Sequence, residues 1–277
     1  MKELVVFDLD GTLLNRDSRI SDHTGATLRL LSQRGIAYTI ATGRTLHGSR
    51  AVTEGHRFDW PQAFKNGVMI WYPEQQHLSS STTLSAGELA HVIQACLDRS
   101  ITPFVFTLDT HHSNTVYHPA TESAADQELI RNLGIEGLVI RHPLDALPAD
   151  ATVTHINSIG DPGAIQEVVE QVANEPQLIA YSGLAREGSD WFWLDVHHHA
   201  ASKGSAIETL KKQLGFERII CFGDSDNDLS LFETADECYA PANANLAIKR
   251  AATAVIGHHD EDGVARFLHQ RFDLTGG

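Results

Sequence analysis

Leu4-Val5-Val6-Phe7-Asp8-Leu9-Asp10-Gly11-Thr12 is the stretch that decides how this chain is read. Four apolar residues in a row are too few for a buried helix and suit a strand covered on both faces. Two carboxylates follow at i and i+2. In extended chain that spacing sends both side chains to one side, turns Leu9 to the other and leaves the Leu9 amide free. Gly11 then permits a sharp turn. In an open parallel sheet, ligands bind at the carboxyl ends of the strands. Asp8 and Asp10 are therefore expected at the functional edge of a sheet.

Outward from this stretch, residues 21–34 read as a helix with Ser21 as N-cap and Gly35 as its stop, and residues 36–41 as a second buried strand. Strand, helix, strand in that order predicts parallel pairing through a right-handed crossover. A third short apolar run, 68–72, follows Asn66-Gly67. Beyond Pro73 the pattern changes. Helices are predicted over 85–99 and 162–173, among strands at 103–108, 115–118, 138–141, 153–159, 177–182 and 191–196, an antiparallel α+β mixture. The first pattern then resumes with a helix over 202–214, a buried strand at 219–222, a helix at 229–235, strands at 238–240 and 254–256, and a closing helix at 264–272. The expectation is an α/β protein: a doubly wound, Rossmann-like parallel-sheet core from residues 1–83 and 197–277, interrupted by an inserted α+β domain at 84–196.

Composition narrows the function. The chain has 277 residues, 42% of them apolar, enough for a core that needs no disulfide or structural metal. A formal charge of −15 repels phosphate backbones and anionic lipid, so neither nucleic acid nor a membrane is an expected partner. No apolar run approaches the ~20 residues that span a bilayer. Met1-Lys2-Glu3 leads directly into the first strand, so no cleavable leader is expected. The three scattered cysteines, Cys96, Cys221 and Cys238, suit a cytoplasmic protein with small buried thiols.

Polar clusters recur after the core strands. Thr42-Gly43-Arg44 follows the second strand, Lys203 opens the helix after the insertion, and Gly223-Asp224-Ser225-Asp226-Asn227-Asp228 follows the strand at 219–222. With Asp8 and Asp10, four clusters converge on one sheet edge. This order of D-x-D-G-T, T-G-R, a lone Lys and G-D-S-x-N-D resembles the haloacid dehalogenase superfamily of phosphohydrolases. The opening Asp-Leu-Asp-Gly-Thr-Leu-Leu, Asn66-Gly67 and Glu261-Asp262-Gly263-Val264 are similar to its Cof-type (IIB) branch. The motifs lie in the two flanking segments, with the insertion as the cap.

The resemblance implies a phosphatase of small phosphorylated metabolites, such as sugar phosphates or pyridoxal phosphate, acting through an aspartyl-phosphate. It makes Asp8 the nucleophile and Asp10 the general acid and base. Asp8, the backbone carbonyl of Asp10 and Asp224 match the family's metal ligands. A phosphate ester nearing several carboxylates needs an intervening cation, and hard oxygen donors select Mg²⁺. The amides of Leu9 and Gly43, with Thr42, Lys203 and Asn227, would hold the phosphoryl oxygens. Asp228 would support Lys203 or the metal shell, Asp226 carries no role, and Arg44 is expected to pair with an acidic neighbour rather than with substrate. Alternatives are a phosphomutase, a mannosyl-3-phosphoglycerate-type sugar phosphatase and a non-catalytic phospholigand sensor. The oligomeric state is left open.

His197-His198-His199 departs from the family pattern. Adjacent strand residues alternate faces, so three rings cannot reach one ion, and a structural return strand near the hinge is expected rather than zinc. His111-His112 and His258-His259 are expected as solvated loop histidines. Trp71, Trp191 and Trp193 are expected in the cores, with Trp193 able to reach the cleft.

Overall fold

A strand with no polar face has to be sandwiched, and the opening run obeys this in the computed structural model, which describes residues 2–80, 82–109, 114–135, 137–141, 143–185 and 190–274. The chain divides into two compact units, Met1–Ser79 with Ser202–Gly277, and Ser80–Ala201.

The first unit begins with β1 (Glu3–Phe7), α1 (Asp22–Gln33) and β2 (Ala37–Ile40). The Ser21 hydroxyl caps α1 by accepting from the Thr24 amide. α2 (Leu46–Thr53) leads to β3 (Gln62–Phe64), β4 (Met69–Tyr72) and β5 (His77–Ser79), which form a separate antiparallel sheet. The run at 68–72 is thus not a third strand of the parallel sheet, and α2, β3 and β5 were not legible as elements.

The second unit contains α3 (Ala86–Leu97), β6 (Phe104–Leu108), β7 (Asn114–Tyr117), α4 (Ala124–Ile135), β8 (Val139–Arg141), β9 (Val153–Gly160), α5 (Pro162–Val172), β10 (Leu178–Leu184) and β11 (Phe192–His198). Its sheet runs β10-β11-β9-β6-β7-β8 and is antiparallel except for β7 with β8, which pair in parallel across the α4 connection. Alternation divides β6 between two cores: Val105 packs beneath α3 and α5, while Phe104 and Phe106 pack with α4. The expected return to the first unit at 197 is corrected to 201/202, because β11 pairs with β9 as far as His197 and with β10 as far as His198.

The first unit then resumes with α6 (Lys203–Leu214), β12 (Arg218–Phe222), α7 (Leu229–Thr234), β13 (Glu237–Ala240), α8 (Leu246–Ala251), β14 (Ala254–Val255) and α9 (Gly263–Arg271). The parallel sheet has the order β14-β13-β12-β1-β2. Phe7 lies opposite Phe222 on one side and Ile40 on the other. Asp8, Thr42 and Asp224 therefore leave three adjacent strands at the same edge. One sheet face packs Leu4, Val6, Ile219 and Cys221 against Ala206, Ile207 and Leu210 of α6 and Leu231 of α7.

Gly204 lets α6 and α7 approach so closely that a Cβ there would lie 2.1 Å from the Ser230 carbonyl oxygen. Gly204→Ala is expected to cost ~2 kcal/mol or more in urea unfolding, since backbone must move. Gly87→Ala, in open space on α3, should be neutral or gain a few tenths.

Candidate active site

Lys203 is the fixed point of the sheet edge. Capped by Ser202, it opens α6 and is wholly buried, with its Nζ donating to Asp8 Oδ1 and Asp228 Oδ1, each at 2.7 Å. Burial alone would lower its ammonium, but Asp228 and Asp8 together hold it above the ordinary lysine value. Burial pushes the Asp8 carboxyl well up against the pull of Lys203, and the charges of Asp228 and Asp224 push the same way. Asp228 has no oxygen to spare, because its Oδ2 accepts from the amides of Asp224 (2.9 Å) and Ser225 (3.1 Å).

Asp224 is the less satisfied carboxylate. It receives only long hydrogen bonds from the Thr12 and Ser225 hydroxyls, 3.4 Å each. Burial and then Asp228 push it up to about 6. Gly11 makes its position possible: at φ +73° a side chain would be strained, and a Cβ would fall 2.5 Å from Asp224 Oδ2. Oxygens of Asp8, Asp224 and Asp228 lie within 4.8 Å of one another. Three carboxylates around one ammonium leave negative charge uncompensated, and an all-oxygen donor set suits a hard divalent cation. The residues fit a metal, with Asp8 and Asp224 offering the available oxygens.

Asp10 departs from expectation. Residues 9–13 are wound into a wide turn rather than extended, so Asp8 and Asp10 diverge instead of sharing a side. Asp8 turns inward to Lys203. Asp10, 49% exposed in its side chain, is gripped by Arg44 through two bonds, Nε to Oδ2 at 2.7 Å and Nη2 to Oδ1 at 2.5 Å. Arg44 thus pairs with an acidic neighbour as expected. Leu9 points fully into the core.

Thr42 is buried, and its hydroxyl accepts from the Arg44 amide at 3.2 Å. Gly43 packs by Asn66 and Asn227, where a Cβ would stand 3.2 Å from Asn66 Oδ1. Asn227 donates its Nδ2 to Asn66 Oδ1 (2.9 Å) and accepts from the Ser225 hydroxyl (2.9 Å), which fixes its amide. Asn66 is a site residue that the sequence reading saw only as a family mark. It is buried at φ +54°, between Lys65 at +48° and Gly67 at +91°, a left-handed run of the kind found where backbone is held under strain for a purpose. An Asn-Gly following a non-β-branched residue was the available signal.

The histidines are placed differently from one another. His197 and His198 lie in β11, the first buried and the second half-buried, and His199 follows the strand, exposed. His258 and His259 are half-buried, not simply solvated: His259 Nδ1 donates to the Leu14 carbonyl at 2.7 Å. Their neighbour Asp260 is occupied by Arg16, whose amide and Nε lie 2.6 and 2.9 Å away. His111 and His112 lie outside the described residues. Trp193 packs against the core beneath α4, whereas Trp191 is exposed.

Comparison with known proteins supplies the family. The profile of the haloacid dehalogenase-like hydrolases matches residues 5–268. A 5-amino-6-(5-phospho-D-ribitylamino)uracil phosphatase of Bacillus subtilis (strain 168), YitU, is 28% identical over 275 residues, covering 98% of each chain. A phosphoglycolate phosphatase of Methanopyrus kandleri is 26% identical over 277 residues, covering 98% of this chain and 97% of that one. A solved haloacid dehalogenase-like hydrolase of B. subtilis superposes with a TM-score of 0.75 at 25% identity, covering 97% and 99%. The chain belongs to the haloacid dehalogenase-like hydrolases, in their Cof-type branch. It is accordingly an enzyme of the phosphatase class. No described helix is long and apolar enough to cross a membrane.

Lys203→Met should expose how much the trio depends on its cation. Leaving two buried carboxylates uncompensated is expected to cost about 3–5 kcal/mol at pH 7.5 in urea unfolding. The deficit should shrink toward pH 5, where carboxyls already biased upward by burial can take protons.

Proposed function

We propose that this chain is a Mg²⁺-dependent phosphatase of a small phosphorylated metabolite, with Asp8 as the nucleophile. The observation that carries the reading is the wholly buried Lys203 bridging Asp8 and Asp228 beside Asp224 at one sheet edge. A binding protein gains nothing from so costly a buried ionic trio, whereas a nucleophilic carboxylate must be desolvated and aimed.

Asp8 Oδ1 is held by Lys203, which leaves Oδ2 to attack phosphorus and form the aspartyl-phosphate. Thr42, the Gly43 and Leu9 amides, Lys203 and Asn227 would receive the phosphoryl oxygens as charge spreads over them. Asp10 would give a proton to the departing alkoxide and later take one from the attacking water. The oxygen that carries that proton is one that Arg44 now holds, so one arm of the clasp must open in the acid step. Mg²⁺, held by Asp8, Asp224 and the Asp10 carbonyl, would neutralise charge on the phosphoryl group and screen it from the carboxylates.

A panel of phosphorylated metabolites, including sugar phosphates, pyridoxal phosphate, 2-phosphoglycolate and the ribitylaminouracil phosphate named for the B. subtilis relative, should show free phosphate release with Mg²⁺. Asp8→Asn keeps the shape but not the nucleophile and should lower kcat by at least ~10³. More than a tenth of wild-type turnover would overturn the covalent reading, and return of the phosphoryl group to substrate would indicate a mutase.

Metal binding should depend on pH in a definite direction. Asp224 titrates near 6 when folded against 3.8 ordinarily. Its contribution to metal-free stability is therefore full below about 4 and is lost as pH rises through about 6. Above that range the ionised carboxylate is ready for metal, and below it a proton must leave first. The rise in Tm on adding MgCl₂ should be clearly larger at pH 7.5 than at pH 5; equal shifts would remove Asp224 from the metal site.

A further inference from the structure

Two cysteines face each other directly behind the acidic loop. β12 and β13 run in parallel with Cys221 opposite Cys238, so both side chains leave the same face of the sheet. Adjacent strands stand about 4.8 Å apart, within the roughly 4.4–6.8 Å between Cα atoms that a disulfide spans. Both thiols are directed at one short helix: Cys238 Sγ lies 3.1 Å from the Phe232 carbonyl oxygen, and Cys221 Sγ 4.0 Å from that of Leu231, consecutive carbonyls of α7.

The pair is asymmetric. Burial first, and then hydrogen bonding to Cys238, push the Cys221 thiol up. Hydrogen bonding from Cys221 holds Cys238 below its ordinary value, against its burial. Cys238 is thus the readier of the two to lose its proton, and Cys221 the one that keeps it. Cys238 also has the only residual exposure of the two, 5%. Its outer neighbour β14 is two residues long and pairs with Tyr239 and Ala240, so beside Cys238 the sheet is closed only by the Thr253 loop. Cys96 sits apart in the second unit, buried near Ser158 and with its thiol pushed up to about 11.

We propose that Cys221 and Cys238 form a reversible oxidation site, taking hydroperoxides as oxidant and closing to a disulfide that disables the acidic loop. The Cys238 sulfur attacks one peroxide oxygen. The O–O bond breaks, sulfur is oxidised to the sulfenic acid, and the leaving oxygen departs protonated. Cys221 then attacks that sulfur, the S–S bond forms, and hydroxide leaves with the Cys221 proton as water. Two thiols and one peroxide thus give one disulfide and two hydroxylic products.

The consequence for the site follows from the chain path. β12 ends one residue before Gly223-Asp224, and α7 begins immediately after Asp228. Closing the sulfurs to about 2.05 Å draws the two strands' side chains together and removes both S–H donors from the α7 carbonyls. Asp224 and Asp228 are anchored to the two elements so disturbed.

Reduced full-length protein would be treated with hydrogen peroxide, alkylated without reductant and mapped by mass spectrometry, with turnover of an aryl phosphate measured in parallel. A Cys221–Cys238 linked peptide, together with at least a fivefold fall in turnover that dithiothreitol restores, is the expected result. Cys221→Ser and Cys238→Ser should each abolish the linkage and the reversible loss, while Cys96→Ser should not. Both thiols still free while turnover falls, or the linkage formed with turnover unchanged, would overturn the proposal. The peptide map decides oxidation independently of activity, so a reduced enzyme inactive on every ester would count against the phosphatase reading alone.

Discussion

The first unit is organised around a lysine that has no access to water. Burying an ammonium is tolerable only where fixed anions replace its hydration, and Asp8 and Asp228 do so from two different strand ends. Each partner is pinned in turn, Asp8 by the pairing of β1 between β2 and β12, and Asp228 by two backbone amides of its own loop. Breaking any one of these would leave a charge stranded in the interior. The parallel sheet, the α6 cap and the acidic loop are therefore one construction.

Around that trio, the polar groups differ in how firmly they are held, and the differences match their proposed tasks. Asn227 is fixed from both sides by Asn66 and Ser225, as a group that receives an anion should be. Asp224 is weakly satisfied and pushed upward in its titration by burial and Asp228, which suits its proposed role as a metal ligand. Asp10 is exposed and gripped by a largely buried arginine, which suits a group that must change partners within a cycle. Rigidity and availability are distributed residue by residue.

Much of this was written in local sequence. The buried opening strand, the Ser21 cap and the strand at 219–222 all follow from short-range pattern, because a residue's neighbours within a few positions determine burial period and capping. The four polar clusters announced their convergence for the same reason: each directly follows a core strand or opens the helix after the insertion. Elements whose pattern is weak were missed. α4 buries Ala125, Leu129 and Leu133 but carries a glycine and few large apolar residues, and β3 and β5 are only three residues long.

What the sequence could not settle concerns direction in space. The i, i+2 spacing of Asp8 and Asp10 implied a common side, but the turn over residues 9–13 sends one inward and the other to Arg44, since a wide turn follows from its closing contacts and not from its spelling. The parallel pairing of β7 with β8, the opposition of Cys221 and Cys238, and the grip of Asn66 on Asn227 join residues distant along the chain. Local propensity carries chemistry to the edge of a strand. Only packing decides which atoms meet there, because pairing energies between remote segments have no counterpart in the order of neighbours.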